Sequence, residues 1–192
     1  MSFIETLQSN AGDRELWKRL QKGEPQALAA LFRAHYARLY DYGFKLSHQS
    51  ELVQDSIQEV FAYIWEKHAA VSAAESVRAY LLASLRRHVL NALAQQRHRQ
   101  QTLQEFDILE SQEYFSPEDF LIVQETEADT RRAFKKGLQQ IPPRLREALY
   151  LKTYNGLSYR EIGSLMKVSP QVARNYVCEA MQRLRNLLAT KS

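Results

Sequence analysis

Two helix-start signals eleven residues apart, at Ser158 and Ser169, constrain this chain more than any other feature. Ser158-Tyr159-Arg160-Glu161 sets a hydroxyl three residues before a glutamate, the pattern in which each side chain satisfies the other residue's backbone N–H at a helix N-terminus. Ser169-Pro170 is a second start, with proline in the first turn, where its missing N–H leaves nothing unpaired. A short helix ending near Lys167 fits between the two. The spacing therefore predicts two helices joined by about three residues, a helix-turn-helix. On the second helix Ala173, Val177, Ala180, Leu184 and Leu188 form an apolar stripe, which leaves Gln171, Arg174, Asn175, Cys178 and Gln182 pointing outward. Outward polar residues near that N-terminus are placed to meet base edges in a major groove. The other reading of the same pattern is a helical hairpin that simply packs.

The rest of the chain is also helical in pattern. It has six glycines in 192 residues, few β-branched runs, and apolar residues at helical spacing almost throughout, so an all-α fold is expected. Gly23 and Pro25 open a helix with Leu28, Leu31, Phe32, His35, Leu39, Tyr42 and Leu46 on one stripe. A second helix, from about Glu51 to Lys67, turns Val53, Ile57, Val60, Phe61 and Ile64 inward. A third, from Val77 to about His98, is expected to bury Val77, Leu81, Leu85, His88, Ala92 and Gln96. These three are read as one domain, residues 1–99. Residues 100–130 read as a linker, with a helix start at Ser116-Pro117-Glu118-Asp119 whose helix runs on through Phe134 to Leu138. Residues 131–192 form the second domain. There Ile141-Pro142-Pro143 interrupts the pattern, Arg144 to Thr153 resumes it with Leu145, Ala148 and Leu149 inward, and Asn155-Gly156 closes it.

Charge divides the chain the same way. Residues 100–130 carry nine acidic side chains and no Lys or Arg, whereas 131–192 carry 13 basic and 3 acidic ones. The C-terminal domain thus has the electrostatic footprint of a nucleic-acid binder. The acidic segment would be repelled by DNA and is expected to lie in a basic channel of a partner; plain solvated disorder is the alternative.

Other classes are poorly served by these residues. No apolar run of signal-peptide or membrane-spanning length occurs, so no membrane insertion is expected. Cys178 is the sole cysteine, which precludes an internal disulfide or cysteine-based zinc cluster and fits a reducing cytoplasm. The five histidines, His35, His48, His68, His88 and His98, are scattered without metal-ligand grouping. Neither a nucleophile with its base, a phosphate-cradling glycine loop nor an acid pair is present, so no enzyme, cofactor or metal is expected.

The run from Leu138 to Arg185 resembles region four of the extracytoplasmic-function sigma factors of RNA polymerase. The matching elements are Ile141-Pro142, Arg146-Glu147, Gly156 to Tyr159, Glu161 to Gly163, Ser169-Pro170 and Ala180 to Arg185. Gly163, Lys167 and Val172 depart from the family's usual Ala, Gly and Thr; the first two are expected to soften the turn, and the third removes a hydroxyl from the reading face. The first domain is similar to sigma region two. Asp55 to Trp65 matches the family's Asp-x-x-Gln-Glu-Val-Phe helix, and Arg78 to Asn91 stands at the place of its minus-ten reader, with Arg87 for the usual Asn and Tyr80 for a frequent Trp.

The resemblance implies that core RNA polymerase is met by Asp55, Gln58, Glu59, Ala62 and Trp65. It implies that the minus-ten element is met by Arg78, Tyr80, Arg86, Arg87, Asn91 and Arg97, and the minus-thirty-five element by Tyr159, Arg160, Ser169, Gln171, Val172, Arg174, Asn175 and Cys178. Core polymerase, promoter DNA and an anti-sigma factor are the implied partners. A linker of this length spans at most about 100 Å, enough to join two DNA sites a couple of helical turns apart. A stand-alone helix-turn-helix regulator and a helical protein-interaction scaffold are the competing readings, and neither needs core polymerase.

Overall fold

The computed structural model describes residues 3–71, 74–101, 138 and 140–189, with backbone alone at 3–10, 99–101 and 187–189. Among them are seven helices and no strand. Two compact units divide the chain, Met1–Asp107 and Ile108–Ser192. The acidic stretch, the helix start expected at Ser116 and most of the helix expected to lead to Leu138 lie outside the described residues.

The first unit holds α1 (Phe3–Gln21), α2 (Pro25–Ser47), α3 (Ser50–Glu66) and α4 (Val77–Gln101). Pro25 occupies the first turn of α2, and His48 closes that helix in a left-handed conformation with its N–H on the Phe44 carbonyl at 2.7 Å. All five residues expected inward on α3 are buried, Val53 and Ile57 completely. Each such side chain contributes roughly 1.5–3 kcal/mol relative to exposure.

Two expectations are corrected here. The first domain has four helices, because α1 packs on both α2 and α4. Its Trp17 is buried and meets Tyr80 of α4 edge to face at 5.1 Å. Asp13 is buried against His35 of α2, with Oδ2 and Nε2 3.1 Å apart, and Gln21 donates to the Val71 carbonyl at 2.7 Å. The inner stripe of α4 is also different. Leu82, Val89 and Leu93 are buried beside Val77, Leu81 and Leu85, while His88 and Ala92 are only half-buried and Gln96 is exposed. Packing against α1, α2 and α3 together demands a broader apolar face than a helix resting on one neighbour.

The second unit holds α5 (Pro143–Thr153), α6 (Tyr159–Met166) and α7 (Pro170–Ala189). Every residue of α5 from Leu145 to Leu151 is buried, Arg146 and Glu147 included. The chain leaves α5 through Gly156 at φ 64°, the left-handed conformation that glycine adopts without steric penalty. It occupies a position one residue beyond the first after the Tyr154 cap. Leu157 is then buried, and its N–H reaches the Leu151 carbonyl at 3.1 Å.

Candidate nucleic-acid interface

The capping box forms as its residues dictate. Glu161 N–H donates to Ser158 Oγ at 3.3 Å and Ser158 N–H donates to Glu161 Oε2 at 2.7 Å. α6 ends at Lys167, a non-glycine residue at φ 58°. Gly163 tightens the turn that follows. Its carbonyl accepts from Val168 N–H at 2.9 Å, and a Cβ built on it would stand 2.8 Å from the Val168 carbonyl oxygen and 3.2 Å from Pro170 N. The expected softening of the turn is corrected at this position: glycine lets the turn backbone close on α6. Ser169 caps α7, its Oγ accepting from Val172 N–H at 3.2 Å.

On α7, Ala173, Val177, Ala180 and Leu184 are buried as expected; the Leu188 side chain lies outside the described residues. Gln171, Arg174, Asn175, Cys178 and Gln182 are all exposed. At 100° per residue, Gln171, Asn175, Cys178 and Gln182 fall in one row with Arg174 flanking it. Gln171 Nε2 donates to Asn175 Oδ1 at 3.1 Å. Val172 is half-buried beside this row. On α6 Arg160 is exposed, and Tyr159 is half-buried with Lys152 Nζ 4.7 Å from its ring centroid.

On α3, Asp55, Gln58, Glu59 and Ala62 are exposed together. Trp65 is half-buried and stacked on His68, with ring centroids 5.3 Å apart. Tyr63, 49% exposed on the same outer side, was not among the sequence candidates. The available signal was an aromatic out of phase with the inward residues Val60, Phe61 and Ile64. A cleft of about 670 Å³ runs beside this face, with Glu51, Asp55 and Glu59 on the α3 side and Ala92, Gln95 and Gln96 on the α4 side. Glu59 Oε2 also lies 3.0 Å from His88 Nδ1, which links the α3 face to α4. At the end of α3 the exposed Lys67 ammonium donates to Glu66, and that hydrogen bond holds the Glu66 carboxyl below its ordinary pKa.

The candidates on α4 do not share one edge. Tyr80, Arg87 and Asn91 lie in one row, and Arg86 and Arg97 in another about 100° away. Arg87 and Asn91 are exposed, and Arg86 and Arg97 are half-buried. Tyr80 packs on Trp17. Arg78 is 6% exposed, so its guanidinium faces the interior and its expected place on a DNA-facing edge is corrected. Among the described residues no cluster of potential metal ligands exists, and no helix is long and apolar enough to cross a membrane.

Comparison with known proteins bears on both units. The Sigma-70 region 2 family model matches residues 31–99, and the Sigma-70, region 4 model matches residues 131–184. RNA polymerase sigma factor CarQ of Myxococcus xanthus is 26% identical over 171 residues, covering 89% of this chain and 94% of that protein. The RNA polymerase sigma-H factor of Pseudomonas aeruginosa is 24% identical over 195 residues, covering 92% and 93%. In fold, the chain is similar to CnrH in complex with the cytosolic domain of CnrY, with TM-score 0.60, 17% identity and coverage of 94% of this chain and 99% of that one. It is also similar to the sigma factor RpoE in complex with the anti-sigma factor NepR from Bartonella quintana, with TM-score 0.59, 20% identity and coverage of 85% and 98%. The two family matches together span more than half of the sequence, and the chain belongs to the sigma-70 family.

Proposed function

We propose that this protein is an alternative sigma factor that binds core RNA polymerase in the cytoplasm, directs it to particular promoters and helps to open the DNA. The observation that carries the reading is the presence in one chain of both sigma regions, with α7 turning a row of polar side chains to solvent.

The roles proposed for individual residues rest on the resemblance to sigma regions two and four, and the exposure of most of these side chains supports them. Asp55, Gln58, Glu59 and Ala62, with Trp65 and Tyr63 at one end, form the face for core polymerase. Arg87 and Asn91, with Tyr80 beneath them, meet the minus-ten element, and Arg86 and Arg97 meet backbone phosphates. Gln171, Arg174, Asn175 and Cys178 address the minus-thirty-five element in the major groove. Arg160, Tyr159 and the cap at Ser169 hold α7 in register on the phosphates, and Val172 borders the reading row. Residues 100–130 carry an acidic linker that occupies a basic channel of the polymerase. CnrH is seen in complex with the cytosolic domain of CnrY, and RpoE in complex with the anti-sigma factor NepR, which supports control of this chain by an anti-sigma factor.

Magnitudes require that the chain act with polymerase. Opening about ten base pairs at roughly 1.4 kcal/mol per step costs about 14 kcal/mol. Stacking one or two captured bases returns about 1–3 kcal/mol each. The free chain therefore binds promoters weakly and opens none.

Titration of labelled chain with core RNA polymerase tests the reading. Tight association is expected, weakened about tenfold or more when Asp55 and Glu59 are both replaced by Lys, because the two substitutions reverse the charge of the face proposed to meet the partner. A chain that does not associate would favour a stand-alone regulator.

A further inference from the structure

The exposed row of α7 carries two carboxamides one turn apart that are already joined. Gln171 Nε2 donates to Asn175 Oδ1 at 3.1 Å, and both residues are solvent-exposed. A glutamine on a helix surface normally samples many rotamers, and ordering it opposes binding. The bond to Asn175 meets that requirement before DNA arrives. It uses one hydrogen of the Gln171 NH2 group and leaves the second hydrogen and Oε1 for a partner; with the hydrogen anti to Oε1 given to Asn175, the remaining two are a donor and an acceptor side by side.

Only one base edge complements that pair at both points. In the major groove adenine offers N7 as acceptor and N6–H2 as donor, guanine offers two acceptors, cytosine one donor, and thymine an acceptor beside a methyl group. We propose that Gln171 reads one adenine of the upstream promoter element, and that Asn175 is its positioning residue, holding the amide so that donor and acceptor face the base together. The proposal rests on the reading of α7 as the promoter-reading helix. Ala173 and Val177, buried on the opposite side of α7, fix the helix beneath the pair.

The test is selection of duplexes with a randomised block by the chain assembled with core RNA polymerase, followed by sequencing of the bound pool. Wild type is expected to enrich a motif with an adenine at one position of its upstream block. Gln171→Ala should lower the preference for that adenine by about five- to 150-fold and leave the other positions as they were. Asn175→Ala should lower it at the same position by a smaller factor, and the double variant should resemble Gln171→Ala, as expected for two residues acting as one unit. Gln171→Glu, which can only accept, should move the preferred base there to cytosine. Both side chains are exposed, and unchanged melting temperatures would confirm that the variants fold. An unchanged motif with Gln171→Ala overturns the proposal. So does an Asn175→Ala effect at a different position, since the two amides would then read separately. A wild-type holoenzyme that enriches no motif overturns the reading of α7 itself, and the adenine assignment with it.

Discussion

The outer row of α7 and the outer rows of α4 both present amide and basic side chains, but the two helices carry different burdens. α7 buries a narrow stripe of Ala173, Val177, Ala180 and Leu184 and leaves its opposite face free. α4 packs against three neighbours, and several of its polar residues are drawn into that packing. Arg78 is buried, Tyr80 rests on Trp17, and His88 meets Glu59 of α3. Substitutions on the face of α7 should therefore change recognition without changing stability, whereas many on α4 should change both.

Disturbing the support of each helix sharpens that contrast. Trp17→Ala should have the largest effect, a loss of about 3–5 kcal/mol in denaturant unfolding, because it empties the space between α1 and α4. A loss below about 1 kcal/mol would show α1 to be peripheral. Gly163→Val should cost about 1–3 kcal/mol in the C-terminal unit, since the added carbons meet turn backbone rather than a movable side chain. Ser158→Ala should cost about 1 kcal/mol by removing the capping box, read as a lower melting temperature with the face of α7 intact. The smallest change is a gain. Lys167→Gly relieves a left-handed residue and should stabilise by about 0.5–1 kcal/mol once the flexibility of glycine in the unfolded chain is subtracted.

The same contrast explains what could be read from sequence. The C-terminal unit is written in local signals: the caps at Ser158 and Ser169, Pro170 in the first turn and Gly156 in the exit each act within a few residues. α5, α6 and α7 and the outward row of α7 are therefore legible. The N-terminal unit is decided by contacts between residues far apart in sequence. Asp13 finds His35, Trp17 finds Tyr80, and Arg14 donates to the Glu75 carbonyl at 2.9 Å. None of these pairs announces itself through periodicity, so the pattern alone does not reveal α1 and points to His88 and Gln96 on α4, where packing buries Val89 and Leu93. The α3 face was legible because one strong stripe fixes both sides of that helix. Its sharing of Glu59 with α4 was not, because that contact depends on how two helices pack.

The direct measurement is run-off transcription from a promoter library by core RNA polymerase with and without this chain, with mapping of the RNA 5′ ends. A sigma factor built as described will add discrete start sites preceded by two shared sequence blocks at fixed spacing. An unchanged set of 5′ ends, from a chain that is folded and present in excess, would contradict the account.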